Sequence, residues 1–469
     1  MLSRREFLRV TAAGTAALAL PHAAFGGRDK GRERPPNIVF IIADDLGWAD
    51  LGCYGSRAIL TPHIDRLAAE GMRFRTVYSG CTVCAPARST LMTGLHMGHT
   101  PVRLNTGGVP LAAEDVTVAQ LLKAAGYTCG GFGKWGLGDV GTAGVPEKHG
   151  FDTFFGYYHQ VHAHNYYPEY LWRNSQKVPL EGNAGGGRKE FSHSRILAET
   201  LKFIRENKDR PFFCYAPWTL PHGRYEVPAD DPAWQAYQDK PWPEKARQVA
   251  AMVSILDRGV GEVLATLKEA GIDDRTIVFF CSDNGAADRF EGTLDSCGRF
   301  RGMKRDLYEG GIRVPMIARW PGRIAPEAEP NPALWYFPDV LPTFMELAGA
   351  ETPAGLDGIS VVPTLLGEAK VGRRQTEHGF LYWEEDMRPG KGGAAPLVQA
   401  VRIADYKAVR RNAKALPEIY DMSIDPGESR DLAPDLPDLV VKVLACMKVG
   451  HTDPRPQKEP QRPKGQAYA

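Results

Sequence analysis

The sequence predicts an α/β protein, with a large, mostly parallel central sheet flanked by helices and a smaller C-terminal α+β domain carrying an antiparallel sheet. Three observations carry this reading. Four apolar, β-rich runs each stop at polar, chemically capable residues. Stretches of helical apolar spacing lie between them. Beyond about residue 370 the pattern changes to strand-like segments, a Pro/Gly turn and a closing helix.

The first run, residues 37–43 (NIVFIIA), ends in Asp44-Asp45, and the second, 127–131, leads into Gly133-Lys134-Trp135. Residues 211–216 lead to Pro221-His222, and 276–281 (TIVFFC) end in Ser282-Asp283-Asn284-Gly285. Residues 116–125 and 246–270 have the spacing of crossover helices, which parallel strands require. In open α/β sheets ligands gather outside the carboxyl ends of the strands, so these four polar ends are expected to converge on one site. In the C-terminal part, residues 399–409 read as strand, Glu418-Ile419-Tyr420-Asp421 precedes a turn, and 438–447 read as helix.

A chain of 469 residues exceeds one core, which favours two unequal domains, here 36–370 and 371–452. Residues 453–469 are polar and proline-rich and are expected to be disordered. A net charge of +1 supplies no phosphate neutralisation, which argues against a nucleic-acid partner. Eight cysteines in this length do not make a disulfide scaffold. Cys129, Cys214 and Cys281 lie in apolar runs and read as buried bystanders, while Cys81-Thr82-Val83-Cys84 leaves a C-x-x-C redox reading open.

At the start of the chain, Ser3-Arg4-Arg5-Glu6-Phe7-Leu8 is a twin-arginine export motif, followed by an apolar, Ala-rich stretch at 10–20. That stretch is shorter than the roughly 20 apolar residues a bilayer span needs. Ala24-Phe25-Gly26 has the small-x-small form of a cleavage site, so residues 1–26 read as a signal peptide, with an N-terminal anchor helix as the alternative. The expected partner is the twin-arginine translocase, and the expected location periplasmic or secreted.

Asp44, Asp45, Asp283 and Asn284 offer hard oxygen ligands and no soft ones, a set that suits Ca²⁺ or Mg²⁺ rather than zinc. Taken singly, Asp-Asp and Asp-Asn-Gly after strands are also ordinary turn residues.

The stretch Cys84-Ala85-Pro86-Ala87-Arg88, followed by Leu91-Met92-Thr93-Gly94, resembles the maturation signature of type I sulfatases of the alkaline phosphatase superfamily. Glu309-Gly310-Gly311-Ile312-Arg313-Val314-Pro315 is similar to a second sulfatase stretch, and the likeness runs over residues 36–433. It implies the alkaline-phosphatase-like fold. It also implies a formylglycine-generating enzyme as partner, which oxidises Cys84 to Cα-formylglycine. The hydrated aldehyde is then the nucleophile toward sulfate esters. It implies one divalent cation, usually calcium, on Asp44, Asp45, Asp283, Asn284 and the oxygen formed at Cys84. Arg88 would steady the nucleophile one helical turn away, and a helix starting near Pro86 would face the anion. Lys134 and Lys304 would bind sulfate, and His222 would protonate the leaving alcohol.

One departure stands out. The family commonly reads G-K-W-H-L-G, whereas this chain reads Gly133-Lys134-Trp135-Gly136-Leu137-Gly138. The aromatic stretch 157–167 carries His159, His162 and His164, and one of them is expected to face the pocket in place of the missing histidine, His162 or His164 before His159. A structural loop with surface histidines is the alternative. With Tyr170 and Trp172, the same stretch could stack on sugar rings, leaning toward a sulfated carbohydrate over another small sulfate ester, with core packing as the competing role. Two further functions stay open: a formylglycine-dependent phosphoester or phosphonate hydrolase, and a non-catalytic carbohydrate-binding relative.

Overall fold

The computed structural model describes residues 34–106, 109–327, 329–386 and 397–456. Residues 1–26, expected to be a signal peptide, and the tail beyond residue 456 lie outside the described residues. From Pro35 on, the described residues form one compact unit built on two sheets. No helix among the described residues is long and apolar enough to cross a membrane.

The large sheet has ten strands: β1 (Asn37–Asp44), β2 (Met72–Tyr78), β3 (Thr128–Lys134), β4 (Thr153–Tyr157), β5 (Tyr170–Arg173), β6 (Gln176–Pro179), β7 (Phe212–Pro221), β8 (Thr276–Ser282), β9 (Met316–Arg319) and β10 (Asn331–Tyr336). Their order is β10-β2-β9-β8-β1-β7-β3-β4-β5-β6. The centre, β8-β1-β7-β3-β4, is parallel throughout. The margins are not. β9 runs antiparallel to both β8 and β2, and β4, β5 and β6 are joined antiparallel. The sheet is therefore mixed, more so than the apolar runs implied, because strands with one exposed face or only four residues leave no long apolar run to read. The β5–β6 hairpin turns on Asn174 and Ser175, both with positive φ (44° and 63°), the backbone of a two-residue hairpin turn.

Strand β1 explains why the centre is buried on both sides. Alternate residues point to opposite faces: Ile38, Phe40 and Ile42 join one core, Val39, Ile41 and Ala43 the other. Each large aliphatic or aromatic side chain so buried contributes about 1.5–3 kcal/mol. Helices Cys84–Thr93, Val118–Ala124 and Val340–Leu347 cover the first face. Helices Pro62–Ala69, Ser192–Glu206 and Glu244–Glu269 cover the second. Val118–Ala124 opens with a capping box between Thr117 and Gln120, which trims the expected start by two residues.

The second sheet is antiparallel, in the order β11 (Leu381–Asp386), β12 (Leu397–Ile403), β13 (Tyr406–Arg410), β14 (Glu418–Asp421), and helix Pro437–Gly450 packs on one side of it. Its other side meets Tyr78, Ile312 and Tyr336 of the large unit through Leu381, Trp383, Ala400 and Val409. A buried ion network ties the two sheets together at the Glu309–Pro315 stretch. Lys407 on β13 lies 3.0 Å from Glu309 and 2.8 Å from Glu428, and Arg313 lies 2.7 Å from Glu309. Burial would raise the Glu309 carboxyl, but Lys407 and Arg313 hold it down at about 2.

Candidate active site

Four adjacent parallel strands, β8, β1, β7 and β3, deliver their carboxyl ends to one place. Asp44 closes β1 and Asp45 follows it in left-handed backbone (φ 63°), a conformation aspartate tolerates better than most residues. Lys134 closes β3, His222 follows β7, and Asp283 and Asn284 follow β8. Helix Cys84–Thr93 aims its first turn at the same point. It begins at Cys84, two residues before the start expected at Pro86. Sequence-distant residues thus meet because parallel strands all end on the same edge of the sheet.

The centre is dense in charge and closed to water. Asp44, Asp283, Asn284, Arg88 and Lys134 are fully buried, and Cys84 nearly so. Lys134 Nζ lies 2.6 Å from Asp44 Oδ2, and Lys304 Nζ 2.7 Å from Asp45 Oδ2 and 3.6 Å from Cys84 Sγ. The Cys84 thiol donates to Asp44 Oδ1 at 3.2 Å. Asn284 Nδ2 donates to Asp45 Oδ1 at 2.6 Å, and His222 Nε2 sits 3.3 Å from Asp45 Oδ2. Arg88 engages Asp283 Oδ2 through Nε (3.1 Å) and Nη2 (2.8 Å), and the Lys134 carbonyl through Nη1 (2.6 Å). The guanidinium therefore fixes Asp283 and the end of β3, rather than Cys84 directly as its spacing suggested.

Burial sets the ionisation of these groups and the neighbouring charges modify it. It pushes the Cys84 thiol well up, and the nearby Asp283 and Asp44 add to that, so the thiol is protonated. Burial also acts to raise Asp44, yet Lys134, His222, Arg88 and Lys304 together hold it well below the usual carboxylate range. Asp283 is pushed up to about 6 by burial and by Asp44. His222 is lowered well below its ordinary value, chiefly by burial.

The three histidines of the aromatic stretch part ways. His164 lines a cleft of about 510 Å³ together with Asp45, His222, Tyr225 and Lys304, and its ring stands 4.6 Å from that of His222. Burial, then Lys134, lowers it to about 4. His162 is buried between the rings of Tyr157 (4.9 Å) and Tyr170 (4.7 Å), and His159 is buried with Nδ1 accepting from the Val161 N–H. Neither lines the cleft. Tyr170 and Trp172 lie on β5, outside the cleft lining, and Tyr157 and Tyr158 are core residues, so the aromatic stretch packs the interior instead of presenting rings for stacking. The stretch is a loop with one 3₁₀ turn, His162–His164, between β4 and β5, and it is packed into the core instead of lying on the surface.

Sequence reasoning did not single out Asn105, Gln160, Arg224, Tyr225 or Arg305. Asn105 Oδ1 accepts from the Ala85 N–H at 3.2 Å, next to Cys84, and from Gln160 Nε2 at 3.2 Å. Gln160 fills the space opposite Gly136 (φ 80°), where an added Cβ would come within 2.9 Å of its amide nitrogen. No motif marks these positions, because they reach the site from loops.

A mixed sheet with a parallel centre, its strand ends converging on buried carboxylates and a helix-borne cysteine, defines the alkaline-phosphatase-like class of hydrolase. The sulfatase family profile matches residues 36–350, and the chain belongs to that family. A second profile, N-sulphoglucosamine sulphohydrolase, C-terminal, matches residues 299–444. Human arylsulfatase A is 33% identical over 456 residues, covering 88% of this chain and 87% of its own. Dog N-acetylgalactosamine-6-sulfatase is 32% identical over 430 residues, covering 85% and 76%. The solved structure of Ps i-CgsB in complex with k-i-k-neocarrahexaose superposes with a TM-score of 0.78 at 25% identity, covering 91% of this chain and 96% of that one. The protein is accordingly a sulfuric ester hydrolase of the type I sulfatase family.

Proposed function

We propose that this chain hydrolyses sulfate esters carried on carbohydrate, with position 84 matured to Cα-formylglycine and a divalent cation, calcium first, on Asp44, Asp45, Asp283 and Asn284. The observation that carries the reading is the meeting of Cys84 with these four oxygen-bearing residues in one buried centre. The donor set fits a hard cation. Asn284 Oδ1 is buried with no hydrogen-bond partner, and atoms of Asp44, Asp45, Cys84 and His222 lie within 4.8 Å of one another. When bound, the cation would supply Lewis-acid stabilisation of charge on a sulfate oxygen. The matured residue 84, as its hydrate, would supply one hydroxyl to attack sulfur and a second to expel sulfate. The Cys84 sulfur occupies the position of those oxygens.

The remaining work falls to the chain's own side chains. Lys134 and Lys304 aim ammonium groups at the centre and hold the sulfate. Arg88 keeps Asp283 in place and lowers the cost of its buried charge. His222, at the cleft floor, would hand a proton to the departing alcohol oxygen once the bound anion's negative charge raises the imidazole from its low value. His164 is the histidine that takes the role left open at Gly136, because it alone of the three borders the cleft. The carbohydrate reading is supported by the carbohydrate bound to Ps i-CgsB and by the cleft beside the centre. Export through the twin-arginine translocase to the periplasm or beyond is part of the proposal. Arg4→Lys with Arg5→Lys should leave the protein in the cytoplasmic fraction, and unchanged export would remove this part.

Mass spectrometry of the tryptic peptide 76–88, from protein co-expressed with a formylglycine-generating enzyme, should find an aldehyde at position 84. A wholly thiol or Cys81-bonded residue, with sulfate esters still turned over, would overturn the mechanism. Of His159→Ala, His162→Ala and His164→Ala, only the last should lose turnover while binding of a sulfated sugar persists. Wild-type turnover in His164→Ala would end its role.

A further inference from the structure

Two arginines at the cleft are left without work by the chemistry above. Arg224 and Arg305 both line it, both are exposed, and neither guanidinium has an ion-pair or hydrogen-bond partner among the described residues. By contrast, Arg88, Arg103, Arg258, Arg313 and Arg319 each hold a carboxylate. Among the described residues that line the cleft, Asp45 is the only carboxylate, and Lys304 already occupies it. The mouth of the cleft therefore carries more positive charge than one sulfate ester needs.

The backbones beneath the two side chains are fixed. The Arg224 N–H donates to the His164 carbonyl at 3.1 Å, and the preceding Gly223 lies so close to His164 that an added Cβ would come within 2.9 Å of its Cα. Arg305 follows Lys304 directly, and its N–H donates to the Thr82 carbonyl at 3.2 Å. Its φ is 80°, a left-handed conformation that costs a non-glycine residue about 1–2 kcal/mol, and the residue lines the cleft. Tyr225 offers a ring beside them, steadied by Lys245 Nζ 5.1 Å from its centroid. Planar guanidinium groups match sulfate and carboxylate oxygens two at a time.

We propose that Arg224 and Arg305 form a second anion subsite, so that the preferred substrate carries, besides the ester that is cleaved, another sulfate or a carboxylate on the same or the neighbouring sugar. This rests on the sulfatase reading of the centre. The subsite selects substrate through binding and leaves the reacting atoms to the buried residues.

The test uses Arg224→Gln, Arg305→Gln and the pair, with three sugars: one bearing a single sulfate, one two sulfates, and one a sulfate and a carboxylate. Calorimetric binding is measured in a Cys84→Ala background, and turnover in the matured enzyme, with p-nitrophenyl sulfate as a one-anion reference. The wild-type side chains should favour at least one two-anion sugar tenfold or more over the one-anion sugar. The double variant should lose that preference through KM, leaving p-nitrophenyl sulfate turnover within twofold. Which two-anion sugar loses more distinguishes sulfate from carboxylate. Equal losses on all substrates, or no loss on any, would overturn the subsite. Selective binding without turnover of any sulfate ester would keep the subsite and refute the sulfatase reading, so the two failures are distinct.

Discussion

Replacing Arg88 by methionine removes a fully buried guanidinium that lies 2.8 Å from Asp283 and 3.3 Å from Asp44, and leaves Asp283 without its cation while Asp44 keeps Lys134. Two hydrogen bonds to Asp283 Oδ2, at 2.8 and 3.1 Å, and one to the Lys134 carbonyl at 2.6 Å are lost. Methionine fills much of the volume, so the cost is electrostatic more than steric. Removing one partner of a buried ion pair costs about 3–5 kcal/mol, because the remaining charge is left desolvated. Asp283 escapes part of this by binding a proton. Its carboxyl already stands at about 6 with Arg88 present, and rises further without it. An acid whose folded value is raised contributes stability that is present below the unfolded value of 3.8 and lost as pH rises through the folded value. The penalty should therefore be larger at pH 8 than at pH 5. Urea unfolding at 25 °C in EDTA, at both pH values, measures it. Asp283→Asn in the same chain should recover about 2 kcal/mol, a coupling that a double-mutant cycle isolates. A loss below about 1 kcal/mol at pH 8, or strictly additive single changes, would refute the account of the guanidinium as the partner of Asp283.

Lys304→Ala removes the ammonium group 2.7 Å from Asp45 at the cleft floor, and should lower kcat/KM on p-nitrophenyl sulfate by about 10²–10³. Steady-state kinetics of the matured enzyme decide it, with an unchanged far-ultraviolet circular dichroism spectrum at 25 °C as control for a retained fold. Lys407→Met leaves Glu309 and Glu428 buried without their shared cation and should cost about 3–5 kcal/mol in urea unfolding; wild-type stability would show that the network does not join the sheets. Asp50 is pushed up from 3.8 to about 6 by burial, so it contributes stability at low pH that vanishes as pH rises through 6. Relative to Asp50→Asn, the wild type should lose about 2 kcal/mol between pH 4 and pH 7, and parallel stability curves would contradict the shift.

The sequence by itself determined the chemistry-bearing positions and the parallel centre of the sheet. A strand buried on both faces must be apolar throughout, so 37–43, 211–216 and 276–281 stand out, and the polar residues that end them mark the edge where a ligand binds. Asp44, Asp45, Lys134, His222, Asp283 and Asn284 are legible for that reason, whereas Cys84 and Lys304 are legible through the motifs that resemble those of sulfatases. The margins were not. β5, β6 and β9 have four residues each, and their pairing depends on neighbours far away in sequence. Only the tertiary structure decided which of three histidines meets the cleft. His162 and His164 are two residues apart in one 3₁₀ turn, yet one is stacked between tyrosines and the other stands beside His222. It likewise decided that Arg88 serves Asp283, that Gln160 fills the space at Gly136, and that Arg224 and Arg305 share a cleft. Local pattern records which side chains a segment must bury or expose, whereas the partners that loops and short strands find are set by the packing of the whole chain.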